Sequence, residues 1–285
     1  MRLKHQFIKV NGINIHYVRQ GHGKKLVVLL HGWPEFWYSW RYQLPELAKK
    51  FTVIAPDLRG FNLSDKPSRV ACYQTKYVIQ DIYELIKQLG FHQAFIVGHD
   101  WGGVVAWHFA TCFPKLTEKL VILNCPHPKL MMKNLLANPR QLIKSWYMIA
   151  FQIPMIPELI LSKTLKKFFQ SNMQGWLFNK EHINGRDINL YVNAFKERDS
   201  LTASLNYYRA GFRYGVNRDL RNKKVEVPTR IIWGKNDKAL TTGLNKKLDK
   251  VMNTRYEVIY LDSCSHWIQV DCPQAVNELL FTFFN

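Results

Sequence analysis

Apolar residues along the chain gather first into short unbroken runs and then into runs spaced as on a helix. Leu26-Val-Val-Leu-Leu30 has no polar position in its length, the pattern of a parallel strand buried on both faces. Thr52–Ala55, Ala94–Val97, Leu120–Leu123, Thr229–Trp233 and Tyr256–Leu261 repeat that pattern. Ahead of them, Phe7–Val10 and Ile13–Arg19 flank Asn11-Gly12, a pair that accepts positive φ and predicts a two-residue hairpin turn. Helical periodicity separates the later strands. Tyr77–Leu89 ends at Gly90, a C-terminal stop, and Val104–Phe113 is a second helical run. Alternation of strand and helix implies a mostly parallel central sheet flanked by helices on both faces.

That rhythm breaks from about Pro126 to Arg218, a stretch rich in helix formers and aromatics with no run resembling a buried strand. It lies between two predicted strands, so we read residues 126–218 as a helical cap inserted over the carboxyl edge of the sheet, where such sheets bind ligands. Residues 1–125 and 219–285 then form the core domain. The 285 residues suit that division, and a chain of this size buries about 75% of its unfolded surface, so no staple is required. Five scattered cysteines without a CxxC pair suggest neither a disulfide framework nor a zinc site. No signal-like run opens the chain. Lys144, Gln152, Pro154 and Pro157 interrupt its most lipid-like stretch, Leu142–Leu161, so a spanning helix is not expected. A cytoplasmic protein, monomeric or homodimeric, is the simplest expectation.

The formal charge of +19 changes the picture less than its size suggests. Basic residues fall in short dispersed clusters such as Lys166–Lys167, Lys223–Lys224 and Lys246–Lys247. A nucleic-acid binder would gather them on one face. We therefore read a lysine-rich enzyme surface, expect no nucleic-acid partner, and leave peripheral contact with a membrane open.

The sharpest chemical signal is Gly98-His-Asp-Trp-Gly-Gly103, which follows one predicted strand and opens a helix. Small residues at 98, 102 and 103 let the chain turn sharply and thrust residue 100 into a cleft, as in the nucleophile elbow G-x-S-x-G. Here Asp100 replaces serine. A carboxylate attacking an ester would give an anhydride, whereas attack on saturated carbon gives an alkyl ester that water can cleave. The expected substrates are epoxides or alkyl halides. After the strand Leu26–Leu30 comes His31-Gly-Trp-Pro34, at the position that supplies an oxyanion-hole amide in this fold. The backbone N–H groups of Trp33 and Trp101 are the candidates, with His31, Gly32 and Pro34 as support and Trp33–Pro34 a candidate cis bond. Asp237 and His266 follow later strands, so nucleophile, acid and histidine occur in the order of α/β-hydrolase folds. His266 would activate water and Asp237 would orient its ring. The competing acid position after Leu123 holds Asn124.

The run His31–Arg41, the Gly98–Gly103 elbow, Asn124-Cys-Pro-His-Pro128 and Ser265-His-Trp267 together resemble the soluble epoxide hydrolase family. The similarity extends from Phe7 to the C-terminus. It implies an α/β-hydrolase fold with a cap, a small apolar epoxide as substrate, and two cap tyrosines that hydrogen-bond the epoxide oxygen. One stands four residues before Phe151-Gln-Ile-Pro154, which points to Tyr147. The other stands in Asn206-Tyr-Tyr-Arg209, which points to Tyr208. Asn62 departs from the glycine usual in relatives but tolerates positive φ. The cap around Asn184–Asp187 matches no known element. No dinucleotide fingerprint, P-loop or metal cluster occurs, so no cofactor or metal is expected. A haloalkane dehalogenase using the same aspartate is the first alternative, and an idle hydrolase fold serving as a binding protein is the second.

Overall fold

The computed structural model describes residues 2–196, 199–216, 220 and 223–285. Eight strands form one sheet in the order β1-β2-β4-β3-β5-β6-β7-β8. They are β1 (Lys4–Val10), β2 (Ile13–Gln20), β3 (Leu26–Leu30), β4 (Thr52–Pro56), β5 (Ala94–His99), β6 (Thr117–Leu123), β7 (Thr229–Gly234) and β8 (Tyr256–Leu261). The antiparallel β1–β2 hairpin turns at Asn11 and Gly12, both at positive φ, as the turn chemistry demands. β2 pairs antiparallel with β4, and every later pairing is parallel.

The unbroken apolar runs have a direct cause. In β3 the side chains of Val27 and Leu29 enter one hydrophobic cluster and those of Leu26, Val28 and Leu30 enter another. Each face of the sheet therefore has its own core. Burying each such side chain contributes about 1.5–3 kcal/mol, and a polar residue on either face would lose that gain. β8 differs from the expectation, because most of its residues remain partly or largely exposed. It is an edge strand with a neighbour on one side only, so its outer positions tolerate Tyr256 and Tyr260 at the surface.

Helices α1 (Gln43–Leu47), α2 (Thr75–Gln88) and α3 (Trp101–Cys112) follow β3, β4 and β5. Between β6 and β7 the regular elements are helical: α4 (Pro128–Ala137), α5 (Pro139–Lys144), α6 (Trp146–Ala150), α7 (Ile156–Phe169), α8 (Gly185–Lys196) and α9 (Ser200–Ala210). The expected end of this insertion, Arg218, lies outside the described residues. The stretch Leu142–Leu161 is divided among α5, α6 and α7, and no helix of the described residues is long and apolar enough to cross a membrane. Asn184 and Asp187, unmatched in the sequence, cap α8 reciprocally. Asn184 Oδ1 accepts from the amides of Arg186 and Asp187, and Asp187 Oδ2 accepts from the Asn184 amide at 2.7 Å. The Tyr38 hydroxyl donates to the other oxygen of Asp187 and ties α8 to the core.

The chain closes with α10 (Ile268–Asp271) and α11 (Pro273–Phe284). One expectation from the sequence is corrected here. Cys264 and Cys272 form a disulfide across eight residues, although their spacing matches no disulfide framework. The loop after β8 doubles back through α10 and brings their Cα atoms to 6.3 Å, a proximity that linear spacing does not reveal.

Candidate active site

Asp100 stands where β5 ends and α3 begins, at φ 48° and ψ −119°. Such a conformation is costly for a non-glycine residue and persists only where the surroundings enforce it. The surroundings here are backbone packed against backbone. A Cβ on Gly102 would lie 2.1 Å from the Leu30 carbonyl oxygen, and one on Gly32 would meet the Asp100 side chain at 2.5 Å. Glycine at these two positions lets the elbow and the His31–Pro34 loop touch. Across that contact the Trp33 amide donates to Asp100 Oδ1 at 2.9 Å. Trp101 is the first residue of α3, whose opening amides have no partner within the helix and favour negative charge. The Trp33–Pro34 bond is cis, as the sequence suggested.

His266 faces Asp100 from the loop after β8, with Nε2 3.6 Å from Asp100 Oδ2, and its Nδ1 lies 2.7 Å from Asp237 Oδ2. Asp237 is held at four points. Its Oδ1 accepts from the Ala239 and Leu240 amides, and its Oδ2 accepts from Asn124 Nδ2 at 2.7 Å besides facing His266. Burial alone would lower the His266 pKa, but Asp237 and Asp100 outweigh burial and raise it to about 10. Burial opposes ionisation of Asp100 too, yet His266, His99 and the Trp33 amide bring its pKa below the ordinary value. Both shifts favour an imidazolium facing a carboxylate.

Tyr147 of α6 and Tyr208 of α9 stand together over Asp100, their rings 6.0 Å apart. Two hydrogen-bonded crossings hold them there. Gln152 donates to the Tyr208 carbonyl, and Arg209 donates to the carbonyls of Phe151 and Ile153 while pairing with Glu158 at 2.6 Å. The Phe151–Pro154 and Asn206–Arg209 segments thus lock to each other, which gives both tyrosine motifs a structural reason. The neighbouring Tyr207 points away and donates to the Arg59 carbonyl. Burial, followed by nearby carboxylates, raises the Tyr147 pKa. Burial, then Tyr147 and Asp100, raises that of Tyr208. Both are phenols at neutral pH and can donate hydrogen bonds.

A cavity of about 640 Å³ reaches Asp100, His266 and both tyrosines, walled by Trp33, Phe151, Phe168, Trp267 and other apolar side chains. A second, of about 90 Å³, touches Asp100 and the tyrosines on the side of Val104 and Met131. The structure therefore brings together Asp100, Asp237, His266, Tyr147, Tyr208 and the Trp33 amide. His31 supports the loop, with Nε2 accepting from the Leu58 amide and Nδ1 donating to the Gly32 carbonyl.

Sequence reasoning did not single out Glu35 or Gln269, and it missed the role of Asn124. Glu35 lies buried beneath the site and accepts from the Gly32 amide, Gln269 and His99, and the far side of the His99 ring meets the His266 carbonyl. It links three loops of the site. Its place directly after Pro34 was visible, but its burial was not. Asn124 was noted only as a lost acid, whereas its side chain bridges the Gly234 amide and Asp237.

The alpha/beta hydrolase fold family matches residues 25–273. Epoxide hydrolase 4 of Homo sapiens is 37% identical over 97% of this chain and 77% of its own length. The AB hydrolase superfamily protein YfhM of Bacillus subtilis (strain 168) is 40% identical over 99% of this chain and 98% of its own. This chain belongs to the epoxide hydrolase family of α/β-hydrolase folds. A solved Bacillus megaterium epoxide hydrolase, crystallised with an inhibitor, superposes with a TM-score of 0.88 at 31% identity, covering 98% of this chain and all of the other. The α/β-hydrolase fold that the sequence pattern led us to expect is the fold of that family.

Proposed function

We propose that this protein hydrolyses epoxides to vicinal diols through a covalent ester on Asp100, with residues 126–218 acting as its cap. The observation that carries the reading is one apolar cavity shared by an aspartate at the elbow, a histidine paired with a second carboxylate, and two tyrosines. Asp100 attacks a ring carbon, the carbon–oxygen bond breaks, and Tyr147 or Tyr208 donates its proton to the departing alkoxide. Ester formation cancels the Asp100 charge, which removes part of what raises the His266 pKa. The proton released by His266 restores the phenol and leaves a neutral base.

Water then gives a proton to His266 and adds to the ester carbonyl, whose oxyanion is held by the Trp33 and Trp101 amides. Collapse breaks the acyl–oxygen bond. The diol leaves with the proton from His266, and the Asp100 carboxyl returns its own proton to the imidazole. One water is consumed, and the enzyme ends as it began.

One observation favours an epoxide over an alkyl halide. A halide leaves without needing a proton, so the two phenols lining the cavity would have no task. An idle binding protein would not need the His266–Asp237 pair. The names of the relatives agree with the epoxide reading. The test is the intact mass of the His266→Gln variant after exposure to styrene oxide, an aliphatic epoxide or 1-bromobutane. We expect a whole-epoxide adduct mapped to Asp100. An adduct from the bromide alone would move the assignment to a dehalogenase.

A further inference from the structure

Half of the large apolar side chains exposed among the described residues, nine of eighteen, lie between Leu142 and Ile160. They are concentrated on three consecutive helices, α5 to α7, with Trp146 at 67%, Ile149 at 66%, Met155 at 71% and Leu159 at 58% exposure. Five of the nine (Ile143, Trp146, Ile153, Ile156 and Ile160) also line the larger cavity. The surface is therefore continuous with the mouth of the site. Scattered exposed apolar residues need no explanation, but a contiguous patch of this extent marks an interaction surface.

The charged residues of this stretch are mostly basic. From Pro139 to Phe169 the chain carries Arg140, Lys144, Lys163, Lys166 and Lys167 but a single acid, Glu158, which is committed to Arg209. On α7 the exposed Ile156, Leu159 and Ile160 continue at helical spacing into Lys163, Lys166 and Lys167. Helices that present apolar side chains with an interfacial tryptophan, bordered by lysines, fit the boundary between water and an anionic bilayer.

We propose that the cap docks on anionic lipid surfaces through α5–α7, placing the cavity mouth against the bilayer so that apolar substrates enter from the lipid. This docking follows from the surface itself and stands whatever chemistry Asp100 performs. Apolar compounds partition into bilayers, so a mouth facing the lipid meets them at far higher concentration than one facing water.

The full chain is sedimented with vesicles of phosphatidylcholine alone or mixed equally with phosphatidylglycerol, at low and raised salt. The comparison variant is Ile149→Ser/Met155→Ser/Leu159→Ser, whose side chains are exposed and do not line the cavity. We expect binding to the mixed vesicles, weakened by salt, and a loss of roughly tenfold or more in the variant. The variant's melting temperature and its turnover of styrene oxide in vesicle-free buffer should match the parent. Absence of parental binding overturns the proposal, and so does undiminished binding by the variant. A concentration-dependent dimer in analytical ultracentrifugation that the variant abolishes would assign the face to a second copy and overturn it too.

Discussion

Replacing Asp237 by Asn should separate the two chemical steps. Both carboxylate oxygens of Asp237 act as acceptors, Oδ1 for two backbone amides and Oδ2 for Asn124 and His266. An amide can keep Oδ1, but its NH₂ group would then face two donors. The His266 ring must turn or change tautomer to relieve that clash, and Nε2 no longer presents a lone pair to water. A wrong tautomer in a related triad costs about 10⁴ in turnover, or about 5 kcal/mol of barrier. In the proposed mechanism alkylation needs only the Asp100 carboxylate and the phenols, so it should fall far less.

The assay is single-turnover mixing with styrene oxide, following ester formation and decay by quenched intact mass. Asp237→Asn should accumulate ester that decays about 10⁴-fold more slowly than in the parent. The structure also offers a rescue. Asn124 lies one hydrogen bond from Asp237 Oδ2, so Asn124→Asp/Asp237→Asn returns a carboxylate to the neighbouring position and should recover part of the hydrolysis if the His266 ring turns to meet it. An Asp237→Asn variant that hydrolyses its ester within tenfold of the parent would refute the orienting role of Asp237.

Other consequences can be checked separately. Tyr147→Phe and Tyr208→Phe should each slow ring opening by roughly 10²-fold while leaving ester decay nearly unchanged; equal losses in both steps, measured by the same quench, would remove the tyrosines from the reaction. The His266 pKa is raised from 6.5 to about 10, so the stability it contributes is complete below pH 6.5 and lost as pH rises through 10. Thermal melts should accordingly show the gap between parent and His266→Gln narrowing over that window, and a constant gap would count against the imidazolium–carboxylate pair. Asp81 holds Arg59 through two hydrogen bonds of 2.6 and 2.5 Å with both groups buried. Asp81→Asn should cost about 3–5 kcal/mol in denaturant unfolding, because it strands a buried guanidinium; a loss under about 1 kcal/mol would show that the cation finds another partner.

The eight strands and the elbow were legible in the chain because their signals are local. A five-residue apolar run needs two covered faces, and small residues around a polar one need a tight turn, wherever the chain ends up. Asn62, at φ 41° with its amide on Asp57, kept its turn for the same local reason. Asp100, Asp237 and His266 could be named in order because each follows a recognisable strand. Tyr147 and Tyr208 could be named only through resemblance, since nothing local distinguishes Tyr208 from Tyr207.

Whatever depends on distance across the fold was left to the tertiary structure. Glu35 became a buried link among three loops only when β3, β5 and the loop after β8 converged beneath it. Asn124 turned from a missing acid into the support of Asp237 because adjacent strands bring residues 110 or more positions apart into contact. The Cys264–Cys272 bond required the fold of one short loop. The apolar stretch from Leu142 to Leu161 was visible as composition, but breaking it into three helices decided which side chains face the cavity and which face outward. Sequence pattern fixes periodicity and turn chemistry, which act within a few residues. Partners, burial and the shifted acidity of His266 arise from neighbours that only the folded chain brings together.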